Sequence, residues 1–323
     1  MKPPLPPAQP PRAAPRSSPL LVQWELAETG AGVAHDLAAP GRARELTVLR
    51  YLSQRLPVPR PLGRLTLSGQ QYAVYSRIGD RDLQEVLPTG GSTPPLPPGT
   101  EPRGAVEPAA LDALPEQLGR LLAELHRVPA PADGPEWHGD PGFRLLTDAR
   151  AGEAASHTER ELDRALRRAA EHGLATARQQ AAARRALESA EGSGPHALGF
   201  VHFDPHPRNV RIATRDGRPS LAGLIDFKNA QYWYPEFDLV VADWHLAAAP
   251  AAAARFRSAY ETARGARTDP RLLRLCETVR LAFVLANAPN RDPAWIAWCA
   301  ERWQTLADGA DRSQDRADGG HGQ

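Results

Sequence analysis

Lysine is almost absent from this chain of 323 residues, and arginine carries nearly all of its positive charge. The only lysines are Lys2 and Lys228, so a site elsewhere that needs a fixed positive charge has to use another side chain. Acidic and basic residues nearly balance, and the formal net charge is +1 at pH 7. Such a balance gives no general attraction to nucleic acid or to an anionic membrane surface.

Cysteines and long apolar runs are also scarce. The two isolated cysteines, Cys276 and Cys299, argue against a disulfide framework and against a zinc site. No apolar run reaches the length of a membrane span, and prolines interrupt the first residues, where a signal peptide would need an apolar run. We therefore expect a soluble cytoplasmic protein with no membrane partner and no nucleic-acid partner.

Three segments are too rich in proline, glycine or polar residues to predict packed structure. We expect a disordered proline-rich tail at 1–19, a flexible insertion at 88–108 and a disordered polar end at 309–323. The rest of the chain has enough apolar residues for a core, since 41% of all residues are hydrophobic. This length is compatible with one large domain or with two lobes.

The densest group of chemically capable residues lies at 200–230. His202, Asp204 and Asn209 have the spacing H-x-D-x-x-x-x-N, in which the aspartate accepts the proton of an attacked hydroxyl and the asparagine holds magnesium. Two predicted strands flank the turn TRDGRP, and the resulting hairpin brings Asp226 back beside Asn209. One base and two metal ligands then converge, as phosphoryl transfer requires.

These motifs resemble those of the aminoglycoside phosphotransferase family of small-molecule kinases. The loop VHFDPHPRNV is similar to the family's HGDxHxxN, the segment GLIDFKNA to its strand ending in aspartate, and YPEFDL to its P-x-x-D-L segment. Upstream, QLGRLLAELHRVP resembles the first long helix of the family's large lobe. The likeness runs in order from about Glu45 to Tyr260.

The resemblance implies an α+β protein with the bilobal fold of protein kinases. We expect a small, β-rich and apparently shortened nucleotide-binding lobe at 20–78, and a large, mainly helical catalytic and substrate lobe at 79–308. The family implies ATP or GTP as the phosphoryl donor, with Mg²⁺. It also implies a small-molecule hydroxyl acceptor, such as an antibiotic or another amino-containing metabolite.

Hydrophobic periodicity predicts the individual elements of these lobes. Strands are expected as a hairpin within 20–37 and at 60–67 and 71–76; helices are expected at 42–56, 111–125, within 153–190, and at 239–254, 256–260, 271–286 and 293–306.

The expected nucleotide site is where the sequence departs most from the family. By resemblance, Glu45 would pair with a strand lysine, and Ser76 and Ile78 would flank the hinge that offers backbone groups to adenine. A solvated helix glutamate is an alternative interpretation of Glu45. No lysine lies between Lys2 and Glu45, and His35 and Asp36 occupy its expected neighbourhood.

We therefore consider a substitute cation. Arg42 and Arg44 lie at the start of the Glu45 helix, and we expect Arg44 to contact the phosphates, with Lys228 as a second cation. Otherwise the nucleotide is held mainly by metal and hinge, or the chain has lost activity. A further departure is Phe203, which stands where the family usually has glycine; Pro205 replaces the family's usual leucine.

The remaining polar candidates have structural interpretations. By resemblance, His202 braces the backbone of the loop and Asp238 is the buried aspartate that ties the loop in place. We expect His126 to be structural, and His206 to be outside any metal site because no second His/Asp pair follows it. The motif His138–Asp140 reads as a surface turn.

The tryptophans at 295, 298 and 303 fit core packing, or they form a wall of the acceptor pocket. Two other function classes stay open: a catalytically inactive kinase-like binding protein and, more remotely, a metal-dependent hydrolase.

Overall fold

The structure is a computed structural model that describes residues 22–26, 30–39, 41–86, 108–129, 151–192, 196–215 and 218–318. The predicted tail at 1–19 and the turn at His138–Asp140 lie outside these residues. The predicted insertion at 88–108 does too, except for Pro108, which begins a helix.

The first part of the chain forms an antiparallel sheet of four strands. These are β1 (Val22–Leu26), β2 (Gly30–Asp36), β3 (Pro61–Leu67) and β4 (Gln70–Ser76), in the order β1-β2-β4-β3. The hairpin predicted within 20–37 is confirmed.

Helix α1 (Arg42–Leu52) connects β2 to β3 and buries Leu46, Leu49 and Leu52. It ends four residues before the predicted end at 56, because Pro57 restricts the backbone ahead of it and the chain turns instead.

Two smaller sheets surround the predicted catalytic segment. Strands β7 (Val210–Arg215) and β8 (Arg218–Leu224) form the predicted hairpin, and β5 (Arg81–Asp82) pairs with β7. Strand β6 (Gly199–Val201) pairs with β9 (Gln231–Trp233), so both ends of the segment are held together. Strands β5, β6 and β9 escaped prediction because two or three residues are too few to display an alternating pattern.

The rest of the described chain is mainly helical. The helices are α2 (Pro108–Leu125), α3 (Ala151–Glu171), α4 (Ala177–Glu191), α5 (Glu236–Leu246), α6 (Pro250–Arg264), α7 (Pro270–Ala286) and α8 (Pro293–Asp318). The prediction of an α+β protein is confirmed. None of the helices in the described ranges combines the length and the apolar character that crossing a membrane requires.

Two predicted helix boundaries are wrong. The helix expected at 239–254 is two helices, because Pro250 cannot continue a helix but is well suited to begin one, as it does in α6. The disordered end expected from 309 is helical as far as Asp318. No proline or glycine interrupts 310–318, and arginine and alanine favour continuation of the helix.

Helices α2 and α6 pack unusually closely, and Gly119 makes this possible. A Cβ atom added at Gly119 would lie 2.4 Å from the carbonyl oxygen of Phe256 and 3.0 Å from the amide nitrogen of Tyr260. The obstacle is backbone of the partner helix, which cannot rotate away as a side chain could. The position therefore requires glycine, because the two helix backbones are almost in contact.

We predict that Gly119→Ala destabilises the protein by about 1–3 kcal/mol, the usual range for overpacking a core. Alanine's better helix propensity offsets only about 1 kcal/mol. The matched control is Gly192→Ala at the end of α4, where the backbone is right-handed and the nearest atom is 3.5 Å from an added Cβ. Denaturant unfolding of both variants checks this; equal stability of the two would contradict the packing argument.

Candidate active site

A buried carboxylate fixes the loop that carries the predicted catalytic residues. Asp238, in the first turn of α5, is fully buried and accepts hydrogen bonds from the amide nitrogens of His202 (2.8 Å) and Phe203 (2.8 Å). Nε2 of His126 lies 3.0 Å from the same carboxylate, and its Nδ1 lies 2.9 Å from the hydroxyl of Tyr260. The beginning of the loop is therefore tied to α2, α5 and α6.

His202 connects the same loop to the end of β8. Its Nδ1 accepts a hydrogen bond from the amide of Asp204 (3.3 Å), so Nε2 carries the proton that is donated to the carbonyl of Ile225 (2.8 Å). Both ring nitrogens are thus used by the backbone. Within the described part of the chain, no group of three or more His, Cys, Asp or Glu residues is placed to hold a metal ion.

Phe203 has a left-handed backbone conformation with φ of 74°. A residue with a Cβ atom is strained there, by about 1–2 kcal/mol, which agrees with the glycine that the resemblance led us to expect at this position. The side chain offsets this strain by packing: its ring stacks on Phe237 at 5.1 Å, and the guanidinium of Arg280 lies 5.9 Å from its centre. Phe203 therefore adopts a backbone conformation that glycine would adopt without strain.

Asp204 forms an ion pair that the sequence did not reveal. Its Oδ1 accepts from Nη2 of Arg280 at 2.8 Å, and Nη1 of the same guanidinium donates to the carbonyl of Phe203 at 2.9 Å. Burial raises the pKa of Asp204, but the positive charge of Arg280, followed by His206 and His202, outweighs burial and holds the pKa below its usual value. Asp204 is therefore ionised at neutral pH.

The backbones of Asn209 and Asp226 come together at the base of the β7–β8 hairpin. Val210 pairs with Leu224, and the amide of Ile225 donates to the carbonyl of Asn209 at 2.9 Å. The Nδ2 of Asn209 donates to the carbonyl of Asp204 at 2.9 Å, which orients the amide group. A carboxylate and an amide oxygen are ligands that Mg²⁺ accepts, so the pair fits the chemistry of the predicted metal site.

Two cations surround Asp226. Arg42 donates from Nη1 to Oδ1 at 2.9 Å, and Lys228 donates to Oδ2. Burial raises the pKa of Asp226, but the hydrogen bond and charge of Lys228, and then the charge of Arg42, outweigh it and lower the pKa. Asp226 is thus a carboxylate with two positive partners at neutral pH.

Glu45 connects the first sheet to this cluster. It is 1% exposed, which excludes the solvated-glutamate interpretation. Its Oε2 accepts from Nη1 of Arg42 at 2.5 Å and lies 3.3 Å from Nδ1 of His35 on β2, and its Oε1 accepts from the amide of Phe227 at 3.0 Å. Arg42 therefore bridges Glu45 and Asp226, while His35 lies where the resemblance called for a strand lysine.

Arg44 lies elsewhere than expected. Its Nη2 donates to the carbonyl of Ala230, and it lines the cavity beside Asp204, on another side of α1 from the Glu45 pair. The difference arises because residues 42 and 44 are about 200° apart around a helix. Arg42 and Glu45, three residues apart, share a face.

The hinge residues Ser76 and Ile78 already have partners. The amide of Ser76 donates to the carbonyl of Arg60 (2.8 Å), and its hydroxyl accepts from the amide of Arg60 (2.9 Å). The carbonyl of Ile78 accepts from Nε of Arg211 at 3.4 Å. Their contact with a nucleotide stays a prediction.

A cavity of about 610 Å³ opens beside Asp204, against α3, α5, α7 and α8. Its aromatic lining is Phe203, Trp233, Phe237, Trp244, Phe283 and Trp295. Trp298 stacks on Trp295 at 5.3 Å, while Trp303 is in the core. Core packing is therefore confirmed for Trp303, whereas Trp295 lines the cavity, and its contact with an acceptor stays a prediction.

Comparison with known proteins gives one family match. The model described as "Phosphotransferase enzyme family" matches residues 33–276, which is more than half of the chain. No curated protein matches the sequence.

Solved structures match at low identity. The GDP complex of wild-type aminoglycoside 2'-phosphotransferase-IIIa has a TM-score of 0.57 at 16% identity, covering 86% of each chain. The GDP and kanamycin complex of APH(2")-IIia has a TM-score of 0.56 at 18% identity, covering 86% of this chain and 87% of that one. The streptomycin–ATP–APH(2")-IIa ternary complex has a TM-score of 0.53 at 14% identity, covering 86% of each. These likenesses confirm the predicted bilobal, protein-kinase-like fold.

We predict that Asp238→Ala destabilises the protein by about 3–5 kcal/mol, because two loop amides and His126 lose a buried charged partner. The matched control is Asp243→Ala in the same helix, since Asp243 is half-buried and its ion pair with Arg257 is expected to contribute at most about 1 kcal/mol. Urea unfolding of both variants measures the difference. A loss for Asp238→Ala as small as that of the control would contradict the anchoring role.

Proposed function

Because this chain belongs to the phosphotransferase enzyme family, we propose that it transfers the γ-phosphoryl group of ATP or GTP to a hydroxyl of a small molecule. The observation that carries this proposal is the convergence of Asp204, Asn209 and Asp226. Asn209 bonds to the backbone of Asp204 and adjoins Asp226 across the hairpin, and Asp204 faces a cavity of substrate size.

Asp204 is the proposed base that accepts the proton of the acceptor hydroxyl. Arg280 makes it a weak base by lowering its pKa. Phosphoryl transfer tolerates this, because its transition state is loose and catalysis is mostly positioning and charge stabilisation. Arg280 fixes the carboxylate at 2.8 Å while bonding the backbone one residue earlier. The ion pair with Arg280 therefore fixes the orientation of the Asp204 carboxylate and lowers its strength as a base.

Asn209 and Asp226 are the residues that would hold Mg²⁺, whose charge would neutralise that of the phosphates. The buried Glu45 would hold the guanidinium of Arg42 next to these two residues. Ser76 and Ile78 keep their proposed place at the hinge. We propose 20–78 as the nucleotide-binding lobe, and 79–308, extended by α8, as the catalytic and substrate lobe.

Arg42 is the best candidate to replace the missing lysine. A kinase lysine is held by a helix glutamate, and Arg42 is held by Glu45 at 2.5 Å. It also reaches the carboxylate proposed as a metal ligand, so its guanidinium lies where phosphates would bind. A guanidinium can contact phosphate through two parallel hydrogen bonds. This proposal supersedes the expectation for Arg44, whose guanidinium is committed to Ala230.

An inactive binding protein is the competing function. It would need none of the cations at Asp226, whereas Arg42 and Lys228 are both retained there. A metal-dependent hydrolase is disfavoured because His202 and Asp204 are engaged by the backbone and by Arg280.

A nucleotide-consuming enzyme would act where nucleotides are abundant, and both cysteines are free, so we propose a cytoplasmic location.

We predict that, with Mg²⁺ and nucleotide present, the parent phosphorylates a hydroxyl acceptor and that Asp204→Asn reduces kcat by about 10²–10⁴. The amide keeps the shape of the side chain but cannot take the proton, so nucleotide affinity should hardly change. Transfer of radiolabelled phosphate and calorimetric titration of nucleotide measure the two quantities. Nucleotide binding without transfer in the parent would favour the inactive protein; unimpaired turnover by the variant would remove Asp204 from the reaction.

We predict that Arg42→Ala raises the nucleotide KM about tenfold to hundredfold, because a hydrogen bond to a charged group is worth about 1.5–3 kcal/mol. Arg44→Ala is the matched control two residues away and should leave the nucleotide KM within about twofold of the parent. Lys228→Ala should have an intermediate effect. Steady-state kinetics with varied nucleotide test the series, and a larger effect from Arg44→Ala than from Arg42→Ala would restore the original expectation.

A further inference from the structure

The cavity beside Asp204 has an unusual charge lining for a site that would receive an amino sugar. Four arginines line it: Arg44, Arg208, Arg280 and Arg291. Only three acids line it among the described residues: Glu161, Asp204 and Asp292. A ligand with several ammonium groups would meet more positive than negative side chains.

The three acids are moreover already engaged. Glu161 accepts two hydrogen bonds from Arg164, at 2.8 and 3.2 Å, and Asp204 is paired with Arg280. Asp292 caps α8 by accepting from the amides of Ala294 (2.8 Å) and Trp295 (3.3 Å). Each of the three acids in the described lining therefore already has a basic or backbone partner, and none offers a carboxylate without one.

Two of the arginines are available instead. Arg208, on the catalytic loop, and Arg291, just ahead of α8, are both exposed. Neither side chain makes an ion pair or hydrogen bond with a described acid, in contrast to Arg280. The charge of Arg208 acts on Asp82 without a direct ion pair, so both guanidinium groups keep hydrogen-bond donors at the rim of the cavity, and such donors favour an anion.

The histidines of the lining add no negative charge and resist becoming positive. Burial lowers the pKa of His157. Burial, helped by His206 and Arg280, lowers the pKa of His245 to about 3. His157 and His245 are therefore neutral at pH 7, and these two rings add no charge to that of the guanidinium groups.

The apolar part of the lining supplies the remaining recognition. Phe283 is one of only two large hydrophobic side chains described as exposed, at 41%, and it lies on this cavity. Trp295 lies near the capped start of α8, and Trp244 packs edge-on against it at 6.1 Å. These rings offer apolar surfaces on which a flat or apolar body would pack.

We propose that the phosphoryl acceptor of this protein is a hydroxyl compound with an anionic group, carboxylate or phosphate, on an aromatic or apolar body, and not a polycationic amino sugar. The hydroxyl would face Asp204, the anion would bind Arg208 and Arg291, and the body would lie on Phe283 and Trp295. The inference rests on the proposed function only in taking this cavity as the acceptor site.

Matched probes test the charge preference directly. They share a hydroxymethylphenyl body: 4-(hydroxymethyl)benzoate, 4-(hydroxymethyl)phenylphosphonate, the neutral 4-(hydroxymethyl)benzamide and the cationic 4-(hydroxymethyl)benzylamine, with kanamycin as the polycation. Tryptophan fluorescence reports binding independently of catalysis, because tryptophans line the cavity. We expect at least one anionic probe to bind at least tenfold more tightly than the amide, the amine and kanamycin. The preferred anion distinguishes a carboxylate acceptor from a phosphate-bearing one.

Charge variants locate the anion. Arg291→Gln should weaken the preferred anionic probe about tenfold and leave the neutral amide within twofold, whereas Arg267→Gln, an exposed arginine between α6 and α7, should change neither. Phosphoryl transfer to the same probes is then measured with Mg²⁺ and nucleotide. Anion-selective binding without any transfer would support the ligand preference inferred for the cavity and would count against the proposed phosphoryl transfer. Tighter binding of the amine or kanamycin, equal binding of all probes, or no binding at millimolar concentration would overturn the inference.

Discussion

The carboxylate of Asp238 is the interaction on which the rest of the site depends. It is fully buried, and it holds the amides of His202 and Phe203 together with the ring of His126. Those bonds fix the loop in a turn whose second residue is left-handed, and Asp204 follows directly from that turn. A buried charge is stable only when its hydrogen bonds are made, so the loop geometry and the integrity of the large lobe are linked.

A second constraint is the balance of charge where the two parts of the chain meet. Glu45 and Asp226 are two carboxylates close enough to share Arg42, and they would repel each other without it. Lys228, one of only two lysines in the chain, lies on the other oxygen of Asp226. This cluster therefore holds α1 against the catalytic segment. It also places Arg42 and Lys228 beside the proposed phosphate site.

At the cavity beside Asp204, the side chain of Arg280 affects both the proposed base and the charge that a ligand would meet. It orients Asp204 and supports the strained backbone of Phe203, and it also adds to the positive character of the cavity. The same guanidinium that lowers the base's pKa therefore disfavours ammonium groups nearby. The positioning of the proposed base and the proposed preference for an anionic acceptor therefore both involve this one side chain.

The sequence alone determined the parts that depend on local spacing: the β7–β8 hairpin, the loop from His202 to Asn209, and the helix of Glu45. These parts depend on residues that are close together in the chain, so they can be predicted from the sequence without knowledge of the fold. The tertiary structure decided which cations serve them. Arg42 bonds to an aspartate 184 residues away and Arg280 to one 76 residues away, and neither contact leaves a periodic signal. The proposal of Arg42 rather than Arg44 at the phosphates, and the charge of the cavity, depend on which helix face packs against which loop, and that is fixed only when distant segments come together.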